Sequence, residues 1–520
     1  MSYSSKFYAM LTKVFAAAIY GIDAHPVTIE VNVDKGIGYH LVGLPDKAVN
    51  ESNYRITAAL QNSSYRLPGK KYIINMAPAD LRKEGSAYDL PIAIGILHAT
   101  GQLITDDLDK YLIMGELSLD GGLQPIKGTL PIALKAKELG FEGIILPAQN
   151  SKEAAIVDGL KVYGVENIVD VIHFFEGKKT LEPEHIDLED LFYKQLEFPE
   201  FDFADVKGQE TVKRCLEIAA AGGHNIIMIG PPGSGKTMLA KRISGILPPM
   251  ELQEALETTK IHSVAGKLKN ETGIISQRPF RSPHHTISDV ALVGGGSYPQ
   301  PGEISLAHNG VLFLDELPEF KRTVLEVMRQ PLEDREVNIS RARFSVTYPA
   351  SFMLVASMNP SPSGYFNDGD SRMTSSPAEM QRYLNKISGP LLDRIDIHVE
   401  VNPVPFDKLS DKRRGEPSKV IRERVIAARK IQTKRFEGHD KIHYNAQMNS
   451  KEIRQYCQLD TVSLNLLKNA MEKLNLSARA YDRILKVART IADLENTEKI
   501  ESHHIAEAIQ YRSLDRDGWI

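Results

Sequence analysis

The strongest constraint on the fold of this chain is a glycine-rich segment, residues 230–237, which lies between an apolar run and a helix-forming run. It reads Gly230-Pro231-Pro232-Gly233-Ser234-Gly235-Lys236-Thr237. Glycines at this spacing let consecutive backbone N–H groups converge on phosphate oxygens. Lys236 supplies a positive charge for the β- and γ-phosphates, and the Thr237 hydroxyl is a ligand for Mg²⁺. The order strand, loop, helix therefore predicts a P-loop that binds ATP and Mg²⁺.

A pair of acids follows a second apolar run, residues 310–314, and has the order of a Walker B motif. Asp315 is predicted to hold Mg²⁺, usually through water, and Glu316 to orient and deprotonate the water that attacks the γ-phosphate. The alternative is that both acids cap a helix beginning near Pro318, since acids stabilise helix starts. Beside a P-loop, the pattern favours ATP hydrolysis over binding alone.

Length, charge and cysteine content limit the number of domains, the mode of nucleic-acid binding and the cellular compartment. A chain of 520 residues exceeds one core, so two to four domains are expected. Its 63 basic and 67 acidic residues leave a net charge of −4, so nucleic-acid binding needs local patches. Cys215 and Cys457 provide neither a disulfide framework nor a cysteine zinc site, which favours a reducing cytosol. The apolar run Val14–Tyr20 is too short to span a membrane and is predicted to be a strand, and no other segment reads as transmembrane.

The pattern of apolar residues divides the chain into four regions. Residues 1–175 alternate strands with helices, as in the strand patterns 27–33 and 72–76 and the helical pattern 49–61, and predict an α/β domain. Charged and proline-bearing residues 176–202 predict a linker. Residues 203–403 contain the motifs above and form the predicted ATPase core. Residues 404–520 are predicted to be helical, with helices at 420–434, 450–458, 463–474, 478–494 and 502–511.

Two further motifs complete a family pattern. They are Ser357-Met358-Asn359-Pro360 and the segment 389–396, Gly-Pro-Leu-Leu-Asp-Arg-Ile-Asp. With them, the chain resembles the magnesium-chelatase-like AAA+ proteins of the ComM/YifB family over nearly its full length. The resemblance implies an amino-terminal Lon-protease-like α/β domain, an AAA+ P-loop α/β core and an all-α carboxyl-terminal lid. It also implies hexameric cytoplasmic rings that use ATP to move single-stranded and branched DNA, as a branch-migration helicase in natural transformation and recombination.

The resemblance assigns catalytic roles to two residues beyond the P-loop and Walker B. Asn359 corresponds to sensor 1, where an amide holds the attacking water and the γ-phosphate; the alternative is a turn residue before Pro360. Arg394 corresponds to the arginine finger that reaches into the neighbouring subunit's nucleotide. The alternative for Arg394 is a salt bridge with Asp393 or Asp396.

Other nucleotide contacts are implied less specifically. Arg479, at the start of a predicted lid helix, corresponds to sensor 2, with Arg483 one turn further on. Either arginine could instead be an exposed helix charge. Residues 207–210, Lys-Gly-Gln-Glu, resemble the segment that lies beside adenine in AAA+ proteins.

A predicted hairpin at residues 336–346 carries Arg341 and Arg343 at its tip. In related helicases a hairpin at this place enters the central pore, so both arginines are candidates for gripping the DNA backbone. An ordinary solvated turn is the alternative. The pair His284 and His285 suggests a metal site, but no third ligand is evident, and a loop or subunit contact is favoured.

The chain departs from its relatives at two places. Many family members have four cysteines after sensor 1, where this chain has Ser361, Ser363, Met373 and Ser375, so zinc binding is not predicted. In the amino-terminal domain, the Lon serine and lysine align with Ala87 and Leu130. Ser86 and Lys127 lie one and three positions from these residues, so a shifted dyad is the alternative, but a displacement by one residue on a strand reverses the face that a side chain occupies. A packing or DNA-guiding role is therefore favoured over proteolysis.

Three functions are compatible with these patterns. The first is an ATP-driven DNA motor that works as a ring. The second is an AAA+ remodelling ATPase that acts on a protein partner, as magnesium chelatase does, without moving DNA. The third is an ATP-dependent protease, which the replaced dyad disfavours.

Overall fold

The structure is a computed structural model, and it describes residues 11–188, 192, 201–268, 273–296, 299–341, 344–364, 375–410, 413–439 and 442–512. The elements up to residue 175 are β1 Thr12–Tyr20, β2 Asp23–Asp34, β3 Gly38–Val42, α1 Lys47–Asn50, α2 Ser52–Asn62, β4 Lys71–Ala77, α3 Asp89–Ala99, β5 Tyr111–Ile113, β6 Glu116–Leu117, β7 Leu123–Gln124, α4 Thr129–Glu138, β8 Gly143–Pro147, α5 Ser151–Ala154, β9 Lys161–Val165 and α6 Ile168–Phe175.

The elements from residue 201 onward begin with those of the predicted ATPase core. These are α7 Glu210–Gly222, β10 Ile226–Ile229, α8 Lys236–Arg242, α9 Leu252–Val264, β11 Phe280–Arg281, α10 Asp289–Val293, β12 Gly294–Gly295, β13 Gln300–Pro301, α11 Glu303–Leu306, β14 Val311–Leu314, α12 Arg322–Glu326, α13 Arg329–Asp334, β15 Glu336–Arg341, β16 Phe344–Pro349, β17 Met353–Met358, α14 Pro377–Leu384, α15 Gly389–Leu392 and β18 Ile397–Glu400. The helices that follow are α16 Phe406–Ser410, α17 Ser418–Arg435, α18 Ser450–Tyr456, α19 Thr461–Lys473, α20 Ala478–Leu494 and α21 Ser502–Gln510.

The chain forms two compact units. The first unit contains residues 1–195 and 252–276, and the second contains residues 196–251 and 277–520. Helix α9 and the residues after it therefore belong to the first unit, although they lie between the two nucleotide-binding motifs in sequence. This membership does not show in the linear pattern of the chain.

The first unit is built on a seven-stranded sheet of order β3-β4-β2-β1-β5-β8-β9. Strands β1, β2 and β4 are paired antiparallel, and the remaining pairs are parallel. Helix α3 is apolar along its length, and its residues 89–97 are all buried. Helix α9 is joined to this unit by hydrogen bonds from the Gly128 N–H to the Ser263 carbonyl (3.1 Å) and from the Ser263 hydroxyl to Glu153. The predicted α/β character of this region is confirmed.

The positions that align with the Lon dyad hold no serine–lysine pair in register. Leu130 is fully buried, whereas Lys127 is exposed. The Ser86 hydroxyl donates a hydrogen bond to the Glu116 carboxylate. A serine hydroxyl bonded to a carboxylate differs from one activated by a neutral lysine amine, the arrangement that nucleophilic catalysis by such a pair requires.

The second unit contains a five-stranded parallel sheet of order β11-β14-β17-β10-β18. Every residue of β10, β14 and β17 is buried, as expected for apolar strands covered on both faces. Helices α17 to α21 follow the sheet and confirm the predicted helical region. Helix α20 begins where the Ser477 hydroxyl accepts the Ala480 N–H, a favourable N-cap. Within the described residues, we find no helix with the length and apolarity needed to cross a membrane.

Candidate nucleotide-binding site

The predicted site residues lie at one edge of the parallel sheet. The P-loop follows β10, Asp315 and Glu316 follow β14, and Asn359 follows β17, and these three strands are neighbours. Because parallel strands end on the same side, their carboxyl-terminal loops converge there, where α/β sheets bind ligands. The structure therefore brings the predicted phosphate-binding and acidic residues together.

Glycine is required at particular points of the P-loop. Gly233 and Gly235 have φ of 78° and 92°, a left-handed conformation that glycine adopts readily. A Cβ atom at Gly230 would lie 2.3 Å from the Val401 carbonyl oxygen. The buried Ser234 hydroxyl has no hydrogen-bond partner among the described residues. A narrow loop with unsatisfied polar groups at the start of a helix suits a phosphate ligand.

The Lys236 ammonium lies inside this loop. It donates hydrogen bonds to the carbonyl oxygens of Gly230 (2.6 Å) and Pro231 (3.0 Å) and to the Asn359 side chain (3.3 Å). Burial lowers the pKa of Lys236, and the nearby carboxylates of Asp315 and Glu316 oppose that shift. The lysine is thus positioned by neutral oxygens that a phosphate can replace.

Thr237 and Asp315 form the part of the site that fits a divalent cation. The Thr237 hydroxyl donates a hydrogen bond of 2.7 Å to one Asp315 oxygen, and the Ser357 hydroxyl donates to the other. A hydroxyl and a carboxylate at contact distance are hard oxygen ligands, the type that Mg²⁺ prefers. The residues present therefore fit Mg²⁺.

Glu316 is fixed through its backbone. Its φ is 55°, and its N–H donates a 3.2 Å hydrogen bond to the Ser357 hydroxyl. Its carboxylate lies 3.8 Å from Nδ1 of His285. The Asn359 carbonyl oxygen accepts a 3.1 Å hydrogen bond from the Tyr383 hydroxyl, which anchors the loop after β17.

Sequence reasoning gave no role at the nucleotide site to Ser357, Tyr383 or His285. Ser357 carried a detectable signal, because it is a polar residue at the end of an otherwise apolar strand. Nothing local in the sequence marked Tyr383, which lies beyond the loop that it anchors.

The Arg394 guanidinium is buried among residues that do not belong to the P-loop. It pairs with Glu333 and donates to the Pro390 carbonyl oxygen, and its side chain is 7% exposed. Arg394 lines a cavity of about 510 Å³, together with Val293, Gln330 and Val337 among others. The salt bridge considered from sequence, with Asp393 or Asp396, is therefore replaced by one with Glu333.

The two sensor 2 candidates have different surroundings. Arg479 is 61% exposed and lies 3.1 Å from Asp393, next to Arg394 in the chain. Arg483 lies 3.0 Å from the buried Asp396 and is 23% exposed. Arg483 is therefore engaged within the protein interior, whereas Arg479 is available to a ligand.

The remaining predicted contacts have mixed outcomes. The hairpin is confirmed as β15 paired with β16, but Arg343 and the side chain of Arg341 lie outside the described residues. In the segment predicted beside adenine, Lys207 donates to the Arg413 carbonyl (2.9 Å) and Gln209 to the Asn402 carbonyl (2.5 Å). These contacts join the start of the core to the chain after β18.

Comparison with known proteins identifies the family. The model described as magnesium chelatase, subunit ChlI, matches residues 202–409, that of subunit ChlI of Mg-chelatase matches residues 29–150, and that of the subunit ChlI C-terminal region matches residues 415–512. The protein YifB of Escherichia coli (strain K12) is 46% identical over 97% of this chain and 98% of its own length. The competence protein ComM of Haemophilus influenzae is also 46% identical, over 97% of this chain and 98% of its own length.

The chain belongs to the ComM/YifB family of magnesium-chelatase-like AAA+ proteins. Lon protease 2 of Bacillus subtilis is 32% identical over 157 residues, which are 28% of this chain and 27% of that protein. Membership in the family accounts for the three parts of the fold: a Lon-like α/β region, an AAA+ P-loop core and a helical lid.

Proposed function

We propose that this protein is an ATP-driven motor that moves DNA as a ring-shaped, hexameric assembly in the cytoplasm. Single-stranded and branched DNA would be its partners, and branch migration during natural transformation and homologous recombination its task. The observation that carries the ATPase part is the convergence of Lys236, Thr237, Asp315 and Asn359 at one sheet edge. The DNA part is supported by the relative named as a competence protein.

The hydrolytic step follows from the positions of these residues. The P-loop N–H groups would receive the phosphates of ATP, and Lys236 would exchange its carbonyl partners for the β- and γ-phosphates. Thr237 and Asp315 would hold Mg²⁺, which when bound neutralises phosphate charge. Glu316 would accept a proton from the attacking water, and the Asn359 amide would hold that water against the γ-phosphate.

A second subunit would complete each site. Among the described residues, the hydrogen-bond partners of the Arg394 guanidinium are Glu333 and Pro390, and none belongs to the P-loop of the same protomer. A guanidinium keeps its charge and forms paired hydrogen bonds, which suits the spread charge of a transferring phosphoryl group. Arg394 is buried against Glu333 but lines the cavity described above, and Arg479 pairs with the adjacent Asp393, so we assign both arginines to the side of the protomer that meets its neighbour.

A protein-remodelling ATPase is the second candidate. All three family models that match the chain are named for the magnesium chelatase subunit ChlI. The resemblance to magnesium chelatase implies a motor that acts on a protein partner. Both candidates require the same ATP site and the same ring. They differ in whether the motor binds and moves DNA or acts on a protein.

ATP turnover with different added partners separates the candidates. The purified full chain is assayed with single-stranded DNA, a four-way junction, casein or no addition, and junction migration is followed in parallel. We expect DNA to accelerate ATP turnover, and we expect the junction to migrate only when ATP is present. A Glu316→Gln variant should bind ATP and neither turn it over nor migrate the junction. If DNA neither binds nor accelerates turnover, the DNA motor is rejected.

The hairpin is tested with a double variant, Arg341→Ala with Arg343→Ala. Basal hydrolysis should stay at the wild-type level, while stimulation by DNA is lost, because only the contact with the DNA backbone is removed. Arg454→Ala, an exposed arginine on α18, is the matched control and should respond to DNA normally. Loss of basal hydrolysis in the double variant would show that the arginines act at the ATP site instead.

A further inference from the structure

The histidine pair 284–285 has no part in the mechanism above, yet the fold brings it to the acidic residues. Edge strand β11 runs parallel to β14, with Phe280 opposite Val311 and Arg281 opposite Leu312. Both strands therefore end at the same edge of the sheet. The loop after β11 emerges there beside the loop that contains Asp315 and Glu316.

The loop that carries the histidines is fixed at several points. The Arg281 guanidinium makes hydrogen bonds of 2.6 and 2.7 Å to the Glu303 carboxylate, which anchors the end of β11. Nδ1 of His284 lies 2.9 Å from the Thr286 hydroxyl, and the Ile287 N–H donates to the His284 carbonyl oxygen at 3.0 Å. These contacts order the backbone on both sides of His285.

The His285 ring is in contact with aromatic rings on two sides. Its centroid lies 4.1 Å from that of His284, with an interplanar angle of 33°. It also meets the buried Phe320 ring nearly edge-on, at 6.4 Å and 79°. Phe320 follows Glu316 closely in sequence, so the imidazole packs against the segment that carries the catalytic glutamate.

In this position His285 directs Nδ1 towards the Glu316 carboxylate at 3.8 Å. Among the described residues, it is the only basic side chain within ion-pair distance of that carboxylate. A separation of 3.8 Å permits interaction by charge or through a single bridging water. The backbone of Glu316 is already fixed by Ser357, so its carboxylate is the part that still needs orientation.

A metal site would use the same histidines differently. Nδ1 of His284 accepts the Thr286 N–H at 3.4 Å and faces that residue's hydroxyl, so this nitrogen is directed into its own loop. No set of three metal-ligating side chains within the described parts of the chain includes either histidine.

We propose that His285 is a positioning residue for Glu316: it orients the carboxylate that takes the proton from the attacking water. This inference rests on the proposed ATP hydrolysis and adds a residue to it. Correct placement of a general base affects the rate of the chemical step, whereas nucleotide affinity depends on the P-loop. His285 is thus expected to affect kcat and not KM.

The test measures ATP turnover and ATP affinity without DNA. For His285→Ala we expect kcat to fall about tenfold, with unchanged KM and unchanged affinity for a fluorescent ATP analogue. His285→Asn should retain a larger share of activity, because its amide offers the Glu316 carboxylate an N–H donor, which alanine lacks. The exposed His443, changed to Ala, is the control and should behave as wild type.

A double-variant cycle shows whether His285 acts through Glu316. Single-turnover conversion of radiolabelled ATP is compared for Glu316→Gln with and without His285→Ala. We expect equal residual rates, because the group that His285 positions is already disabled. An unchanged kcat in the single variant, weakened ATP binding, or an equal further loss in the Glu316→Gln background would overturn the proposal. Since DNA is absent throughout, failure of the DNA motor leaves this result unaffected.

Discussion

The hydroxyl of Ser357 joins the two acids of the site. It donates to Asp315 and accepts the Glu316 N–H, and the residue is fully buried. One side chain therefore holds one oxygen of the Asp315 carboxylate and the backbone N–H of Glu316. A buried hydrogen bond to a charged group contributes about 1.5–3 kcal/mol.

Removing this hydroxyl should slow hydrolysis without abolishing nucleotide binding. For Ser357→Ala we expect kcat to fall roughly ten- to a hundredfold, because both acids lose a fixed position. Steady-state turnover and binding of a fluorescent ATP analogue measure the two effects. Ser305→Ala is the matched control, since Ser305 is equally buried but its hydroxyl has no partner among the described residues. Similar losses in both variants would contradict the role of Ser357.

A buried polar cluster joins the P-loop strand to the lid. Asp396, which precedes β18, accepts a 3.2 Å hydrogen bond from the Asn225 N–H and lies 3.2 Å from His224, next to the start of β10. It also lies 3.0 Å from Arg483 on α20, while the other ring nitrogen of His224 lies 2.8 Å from Thr490 on the same helix. Burial would raise the pKa of Asp396, but Arg483, His224 and Lys486 together hold it below its usual value.

This cluster gives the second unit a stability that depends on pH. Burial lowers the pKa of His224, and the hydrogen bond to Asp396 opposes only part of that shift. The unfolded chain therefore takes up a proton near the ordinary histidine pKa of about 6.5, while the folded protein takes it up only at a lower pH. Because the unfolded state binds more protons, stability should fall as the pH drops below about 6.5, by at most ~1.4 kcal/mol per pH unit.

A His224→Gln variant should reduce that dependence. Thermal unfolding midpoints are compared at pH 7.5 and pH 5.5, and the difference is expected to be smaller in the variant than in the wild type. His443→Gln alters an exposed histidine of the same unit and should leave the difference unchanged. Equal differences in wild type and His224→Gln would assign the acid sensitivity to other groups.

Helices α17 to α21 were predicted from local pattern. Helix α20, Ala478–Leu494, has the predicted bounds, because its apolar spacing and the Ser477 cap are both local signals. Strand β11 did not stand out in the sequence, since it consists only of Phe280 and Arg281. It is a strand because it pairs with β14. Whether such a short edge segment forms a strand depends more on the neighbouring strand than on its own residues.

Because each ATP site is proposed to be shared by two subunits, two variants that are inactive alone should complement each other when mixed. In the proposed mechanism, Lys236→Ala removes phosphate binding and keeps Arg394, whereas Arg394→Ala removes the proposed finger and keeps its P-loop. In rings formed from an equal mixture, random assembly creates a complete site at about a quarter of the interfaces. ATP turnover of the mixture should therefore recover to about that fraction of the wild-type rate.

The control for complementation mixes Lys236→Ala with Glu316→Gln. Both defects lie within one protomer's half of the site, so no interface becomes complete and no recovery is expected. Recovery in this control, or none in the first mixture, would show that Arg394 does not act on a neighbouring subunit.

The division into two units predicts how the chain responds to truncation. Ala255, Thr258 and Ile261 of α9 are fully buried within the first unit, so deletion of residues 1–195 would expose them. We expect this truncated protein to aggregate, and a second version with residues 252–276 replaced by a short glycine-serine linker to recover solubility. Soluble yield and size-exclusion profiles measure the difference, and equal solubility would contradict the assignment of α9.

The sequence by itself determined the P-loop and the acidic pair, because phosphate binding uses consecutive backbone N–H groups and a few side chains within one short segment. It also determined the helical character of the lid, since apolar periodicity is a local property. Tertiary structure alone decided that Ser357 and His285 meet the acids, that Glu333 pairs with Arg394, and that α9 belongs to the first unit. The contacts of Ser357 and His285 with the acids arise because parallel strands from distant segments end at one edge, and no local pattern contains that arrangement. The other two depend on packing between segments that are distant in sequence.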